Sequence, residues 1–375
     1  MLVIGGGIGG LTGALAFART GAAVTLIEQA ARLTDIGAGI QITPNGAVVL
    51  AALGLEPAAA ALGVRAMAVA PIDGKSGRRL ARFDLSRLSG APYRFFHRAT
   101  LIGMLADAAL MAGVAVRLGA RVVATGPGPQ VLLADGAVVA ADLVIGADGV
   151  HSVLRSALNP GQTASFTGQT AWRSVITADA PPEARIWLLP GRHVVTYPLQ
   201  GGLLNIVTVR AQAAWAAEGW THPDMPAALQ VAFADACPEL RAILAQITQT
   251  RLWGLFRHPV ATHWHDGARV LLGDAAHPTL PFLAQGANLA LEDAFVLARA
   301  CNNAATLAQA LARYQVLRVP RVTRAIAAAQ MNAGRYHLAG PRRVLAHLGL
   351  RVVGLAAPGA FLRQLDWLYG HDVTV

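Results

Sequence analysis

His193 and Tyr197 stand four residues apart in the run His193-Val194-Val195-Thr196-Tyr197-Pro198-Leu199. On a regular strand that spacing puts both side chains on one face. An imidazole titrates near neutrality and can take a proton from an acidic hydroxyl, while a neighbouring phenol can orient a hydroxyl or carboxylate. Spacing alone favours an ordinary packed face over a site. What the pair does depends on what the rest of the chain binds.

Two glycine-rich stretches point to that ligand. Gly5-Gly6-Gly7-Ile8-Gly9-Gly10 follows the apolar residues 1–4 and precedes an alanine- and leucine-rich segment; a second apolar run, 24–27, ends in Glu28. Strand, glycines, helix, strand and acid at this spacing form a dinucleotide-binding fingerprint. Gly5 serves the turn, Gly7 the close approach of a pyrophosphate, Gly10 the packing of helix on strand, and Glu28 the ribose hydroxyls. Residues 273–293 read GDAAHPTLPFLAQGANLALED. Val270-Leu271-Leu272 before them is strand-like, and the residues after Gly286 have helical spacing. A strand thus leads through a Gly/Pro loop to a helix N-terminus, whose free N–H groups and dipole favour an electron-rich ligand. Asp274, at the strand end, is placed to accept hydrogen bonds from ligand hydroxyls.

The elements that must position these residues come in two kinds. Residues 35–45, rich in glycine, suit a loop beside a flat ring system and lead into a helix from about Pro44 to Gly54. Residues 67–96 read as antiparallel strands, with Asp73-Gly74 as a hairpin signal. A helix follows from about 96 to Met111, and Arg98 near its start is a candidate clamp for a phosphate or ring oxygen. Strands near 115–118, 122–124, 130–133 and 138–140 read as a small meander. Residues 143–155 repeat the strand, Gly/Asp turn and helix pattern at Asp148-Gly149. Residues 165–210 are strand-like, with hairpin signals at Pro190-Gly191 and Gly201-Gly202; 224–247 are helical, and the C-terminal part is helical with Pro320 and Pro341 marking breaks or kinks. The expected fold is α/β, an α+β composite. A Rossmann-like domain formed by 1–66, 97–162 and 250–340 carries an inserted antiparallel-sheet domain for the substrate, 67–96 and 163–249, and C-terminal helices occupy 341–375.

Composition narrows the partners. The net charge of +10 comes from 31 Lys+Arg, of which only Lys75 is lysine, against 21 Asp+Glu, and the arginines are scattered. That pattern argues against nucleic acid, though it would attract anions such as a nicotinamide dinucleotide or an aromatic carboxylate. Cys237 and Cys301 have neither disulfide-framework nor zinc spacing, no signal peptide is visible, and a reducing cytoplasm is expected. His263 and His265 lack Cys or carboxylate partners, so no metal is expected. The apolar stretch 344–362 is interrupted by His347, Arg351, Gly354 and Pro358, which argues against stable membrane insertion.

Taken together, Gly5–Gly10 with Glu28, Asp148-Gly149, and Gly273-Asp274 through Gly286 resemble the group A flavoprotein monooxygenases, the single-component aromatic hydroxylases, over nearly the whole chain. Ala171-Trp172-Arg173, the strand bearing His193 and Tyr197, and the QGAN…ED run are similar to the branch of salicylate hydroxylase, 3-hydroxybenzoate 6-hydroxylase and 6-hydroxynicotinate 3-monooxygenase. The resemblance implies FAD as cofactor, NADH or NADPH as transient donor and O2 as co-substrate. It implies FAD contacts from Gly5, Gly7, Gly10, Glu28, Arg98, Asp148, Gly273, Asp274, Gly286, Ala287 and Asn288, with the loop from Pro281 to Asn288 along the isoalloxazine. His193, Tyr197, Gln285 and Pro281 become the catalytic candidates, and His277 a shaper of the loop. Ala284 departs from the glycine that many relatives carry there. The implied reaction is hydroxylation of a small phenolic or hydroxy-heteroaromatic acid through a C4a-hydroperoxyflavin, by a cytoplasmic monomer or homodimer. A tailoring oxygenase of larger polyketide, quinone or antibiotic substrates is the alternative, followed by a flavin reductase or redox-responsive flavoprotein that does not oxygenate.

Overall fold

The computed structural model describes residues 1–33, 38–88, 90–213 and 222–375. Asp35, Ile36 and Gly37 of the expected glycine-rich loop lie outside them. Short apolar runs, buried in the inner strands and exposed at the Ala115–Arg117 edge, build a five-stranded parallel sheet in the order Arg269–Leu271, Val144–Gly146, Leu2–Ile4, Thr25–Ile27, Ala115–Arg117. The register aligns Ile4 with Gly146, and Gly146 with Leu271. The three glycine-bearing turns therefore leave the same edge, at the carboxyl ends of three neighbouring strands, where open parallel sheets bind their ligands.

Helix Ile8–Ala18 crosses this sheet against helix Gly286–Asn303. Small residues allow the approach: a Cβ on Gly10 would lie 1.9 Å from the Gly5 carbonyl oxygen, and one on Gly9 would lie 3.2 Å from Ala290 Cβ.

An eight-stranded sheet stands beside the parallel one. Its order is His222–Asp224, Thr250–Arg257, Ser165–Thr177, Leu203–Ala211, Arg192–Leu199, Glu183–Leu189, Ala68–Asp73, Phe83–Asp84. The expected hairpins form at Pro190-Gly191 and at Gly201-Gly202, where Gly191, Gly201 and Gly202 have φ of 68°, 78° and 68°. Along Arg192–Leu199, Val194 and Thr196 face a core built on Trp172 and Trp187, so His193, Val195 and Tyr197 face the other way.

Several expected boundaries are corrected. Thr250–Arg257 pairs with Ser165–Thr177 in the eight-stranded sheet, so it does not join the Rossmann-like part. Arg94–His97 pairs with Gly39–Ile42 and Val64–Arg65 in a separate three-stranded sheet and not with 67–84. Ala115–Arg117 closes the edge of the parallel sheet, leaving only Val122–Thr125, Gln130–Leu133 and Val138–Ala140 as the meander. The sequence marks residues up to 96 and 115–118 as strands but assigns no element to 250–257, and alternation carries no record of which neighbour supplies the hydrogen bonds. Pro320 sits inside the continuous helix Leu307–Tyr336, and Pro341 opens helix Gly340–Ala356. Among the described residues no helix is long and apolar enough to cross a membrane.

Candidate active site

The turns at the sheet edge and one face of the eight-stranded sheet enclose a chamber of about 270 Å³. Gly7, Arg98, Gly273, Asp274, Gly286 and Ala287 line it on the parallel-sheet side, and His193, Tyr197, Pro281 and Gln285 reach it from the other. Ten residues singled out in the sequence thus line one chamber although up to 280 positions separate them. A second space of about 340 Å³ continues from it, sharing Gln41, His193, Val195, Pro281 and Ala284.

The other candidates stand behind this wall. Gly5, at φ 102°, and Gly10 make the turn and its packing. Glu28 accepts from Gly6 N at 2.6 Å and Ala30 N at 2.7 Å, one bond to each oxygen, which leaves lone pairs for a sugar hydroxyl. Asp148 Oδ2 accepts from Val153 N at 2.9 Å, while its Oδ1 is buried with no partner. Burial raises the Asp148 pKa against the hydrogen bonds from the helix start. The Asn288 side chain spends its hydrogen bonds within the protein. Fully buried, its Oδ1 accepts from Thr43 N at 2.9 Å and its Nδ2 donates to the Gln41 carbonyl at 3.0 Å and the Ala284 carbonyl at 2.6 Å. It ties the loop to the helix from behind.

The 273–286 loop is held through His277, the residue expected to shape it, and through Glu292, Asp293 and Arg318, to which the sequence assigned no role. Asp293 Oδ2 accepts from Gly273 N at 3.1 Å and pairs with His277 Nε2, and Asp293 Oδ1 accepts from Arg318 Nε at 2.6 Å. Glu292 binds Arg318 at 2.7 Å, Arg321 at 2.7 and 2.8 Å, and Asn45 at 2.6 Å. All of Glu292, Asp293, His277 and Arg318 are buried. Gln285 at the N-cap of Gly286–Asn303 donates to Thr43 Oγ1 and accepts from Asn45 Nδ2, both at 3.1 Å. Ala284 adopts φ 54°, a left-handed backbone that costs a β-carbon-bearing residue about 1–2 kcal/mol. The arginines lie far along a helix with no motif of their own; only their apolar-face positions at 318 and 321 could have flagged them.

Electrostatics separates the two sides of the chamber. Asp274 is open to the chamber yet enclosed by protein, and that enclosure pushes its carboxyl pKa up against the pull of His277 and Arg98. Burial raises the Tyr197 pKa well above an ordinary phenol, with Arg173 opposing, so the ring stays neutral. Burial holds the His193 pKa well below the ordinary imidazole value, and His337 adds to the effect. His193 is therefore a neutral imidazole at physiological pH. Its Nδ1 lies 2.8 Å from His337 Nε2, which leaves Nε2 as the ring nitrogen for the chamber. Phe282 and Tyr336 close over the ring with centroids at 5.7 and 5.0 Å. His337 was not among the sequence candidates, because nothing before folding links position 337 to position 193.

The FAD binding domain family matches residues 1–329. The chain is 37% identical to a 3-amino-4-hydroxybenzoate 2-monooxygenase of Streptomyces platensis, over 99% of this chain and 96% of that one. The chain belongs to the FAD-dependent aromatic hydroxylases. A 3-hydroxybenzoate 6-hydroxylase of Aquipseudomonas alcaligenes is 32% identical, with 100% of this chain and 98% of that one covered. The structure of Klebsiella pneumoniae HpxO complexed with FAD and uric acid superposes with a TM-score of 0.83 at 26% identity, covering 93% of this chain and 92% of that one. As a member of this family the chain is an FAD-dependent aromatic-ring monooxygenase that uses NAD(P)H and O2.

The residues present fit that cofactor. A Cβ on Gly7 would meet no protein atom within 4 Å, so the helix start faces open space where a pyrophosphate could lie against free N–H groups. Asp148 Oδ1 is an orphaned acceptor beside the chamber residues Ala147 and Gly149. Gly286 and Ala287 present a second helix N-terminus to the same chamber.

Proposed function

We propose that this chain hydroxylates a small aminohydroxy- or hydroxybenzoate, and that His193 is the base that takes the proton from its ring hydroxyl. The observation that carries this reading is a neutral, desolvated imidazole with one free ring nitrogen at the junction of the two chambers. The relatives matching most of the chain, named for 3-amino-4-hydroxybenzoate and 3-hydroxybenzoate, support the substrate class. Bound FAD supplies the redox chemistry and the activation of oxygen.

In this reading Gly5, Gly7 and Gly10 shape the pyrophosphate turn, Glu28 takes ribose hydroxyls, and Arg98, Asp148 and Gly273-Asp274 hold the chain that links it to the ring system. The N–H groups of Gly286 and Ala287 stabilise negative charge at the ring edge. Pro281, Ala284 and Gln285 form the wall between cofactor and substrate. Tyr197, neutral and on the same strand face as His193, orients the substrate hydroxyl or carboxylate by hydrogen bonding. Arg173, over Trp253 at 4.8 Å and on the chamber wall, supplies the cation for an acidic substrate. Deprotonation raises electron density in the ring and so favours its attack on the activated oxygen. The enzyme acts in the cytoplasm as a monomer or homodimer.

The test is NADH and NADPH consumption by the FAD-loaded protein with 3-amino-4-hydroxybenzoate, 3-hydroxybenzoate and 6-hydroxynicotinate, with products weighed. Expected is substrate-stimulated oxidation and a product one oxygen atom heavier. Oxidation that yields only hydrogen peroxide with every acid overturns the reading. One observation favours a larger substrate. An apolar cavity of about 490 Å³ beneath helix Gly340–Ala356 adjoins the substrate space through Val69, Ile186, Asn332, Arg335, Tyr336 and Gln364. An alkyl-substituted phenol turned over faster than the benzoates would establish that second reading.

A further inference from the structure

His193 does not stand alone. Its Nδ1 is 2.8 Å from His337 Nε2, and His337 Nδ1 is 3.2 Å from the Gln169 side-chain amide. The three come from separate parts of the chain: the strand Arg192–Leu199, the residue after helix Leu307–Tyr336, and the strand Ser165–Thr177. Each is fixed. The His337 carbonyl accepts from Gly191 N at 3.1 Å, in the hairpin just before His193. Gln169 sits where the register with Thr250–Arg257 shifts between Phe166 and Thr170, with Gly168 at φ 74°, a bulge of the kind that re-aims a side chain. His193 is 2% exposed, whereas His337 and Gln169 are half-buried, so the row runs from the chamber toward solvent.

We propose that Gln169 and His337 set the tautomer of His193 and that His337 carries the proton it removes from the substrate hydroxyl out toward solvent. This rests on His193 being the base, and it makes His337 and Gln169 positioning residues. Each neutral imidazole has one N–H and one bare nitrogen, so the tautomers in a row are coupled. With the Gln169 carbonyl turned to His337, His337 Nδ1–H donates to it, His193 Nδ1–H donates to His337 Nε2, and His193 Nε2 is bare toward the substrate. With the Gln169 NH2 turned to His337, as the structure has it, every proton moves one place and His193 Nε2–H faces the chamber. The Gln169 Oε1 is then buried without a partner, which marks the amide as able to serve either way round.

The step balances. The substrate O–H bond breaks as N–H forms at His193 Nε2; the Nδ1 proton of His193 passes to His337 Nε2; and the Nδ1 proton of His337, released as the Gln169 amide turns its NH2 to that nitrogen, passes to bulk water, which leaves as hydronium. Substrate becomes phenolate, both imidazoles stay neutral, and no oxidation state changes. The neighbouring titratable groups do not compete: burial raises Tyr336 to about 12 and Tyr197 higher still, with Arg335 beside Tyr336. Burial also pushes His337 down to about 4, so a doubly protonated, charge-trapped row is disfavoured.

The test uses FAD holoenzyme labelled with 15N-histidine at alkaline pH, where ring-nitrogen correlation spectra report each tautomer without substrate. Gln169→Glu, whose carboxylate only accepts, is expected to convert His337 and His193 together to the Nδ1–H form. In His337→Gln, His193 is expected no longer to follow residue 169. Hydroxylation by His337→Gln should lose about tenfold in kcat with KM changed by less than about twofold. A His193 tautomer indifferent to Gln169→Glu overturns the relay while leaving the base assignment standing. Coupled tautomers with unimpaired hydroxylation by His193→Gln overturn the proton transfer and the base assignment together.

Discussion

At the scale of single residues, burial decides what each candidate can do. In the proposed mechanism His193 can serve as a base because desolvation keeps it neutral, and Tyr197 as a donor because burial keeps its proton on. His193→Gln is expected to retain FAD, read by its absorbance after gel filtration, and to lose at least about a hundredfold in kcat for a phenolic substrate. Loss of FAD from that variant would remove His193 from the substrate side. The depressed imidazoles also shape acid stability. The folded state binds fewer protons than the unfolded chain, so their contribution is complete above the ordinary value of 6.5 and is lost as pH falls from there toward about 4, the His337 value. Urea midpoints should therefore drop across that window in the wild type and drop less in His337→Gln. Ala284, at φ 54°, is expected to tolerate glycine with unchanged stability or a gain of up to about 1 kcal/mol, since relief of strain offsets backbone entropy. A loss of more than that in urea unfolding would show that its methyl group packs usefully.

At the scale of elements, the glycines of the first turn divide into two kinds. A Cβ at Gly10 would strike the Gly5 carbonyl at 1.9 Å, inside the helix–strand contact, whereas one at Gly7 meets nothing. Gly10→Ala is expected to destabilise the apoprotein by about 3 kcal/mol or more. Gly7→Ala should leave the apoprotein melting temperature unchanged within error and weaken FAD binding at least about tenfold, because its methyl enters only ligand space. Fluorescence titration with FAD and a thermal melt on each variant read the two effects separately. Equal FAD affinity for Gly7→Ala and wild type would move the pyrophosphate away from this turn.

At the scale of the whole molecule, helix Leu307–Tyr336 holds the chamber's sheet edge together from a distance. Arg318 pairs with Asp293, which receives the Gly273 N–H, and with Glu292, which also binds Asn45. Helix Leu307–Tyr336 thereby braces both the 273–286 loop and the helix Pro44–Ala52. Removing one partner of a buried cluster strands the others, so Arg318→Ala is expected to cost about 3–5 kcal/mol and to shed FAD on dilution. His337 follows this helix directly, so in the proposed reading the helix supports the substrate side as well as the cofactor side.

The parallel sheet, its three glycine turns and the strand face of His193 and Tyr197 were legible because each depends on local chemistry: a turn that needs glycine, a period of two, a helix start. Those signals also determined the family and its cofactor. Pairing was not local, and so Thr250–Arg257, Arg94–His97 and Ala115–Arg117 found their sheets only in three dimensions. The tertiary structure alone decided that Asn288 faces inward, that Arg318 and Arg321 neutralise Glu292 and Asp293, and that His337 meets His193. Charge neutralisation and imidazole pairing act through space over a few ångströms, and 144 residues of chain separate the two histidines.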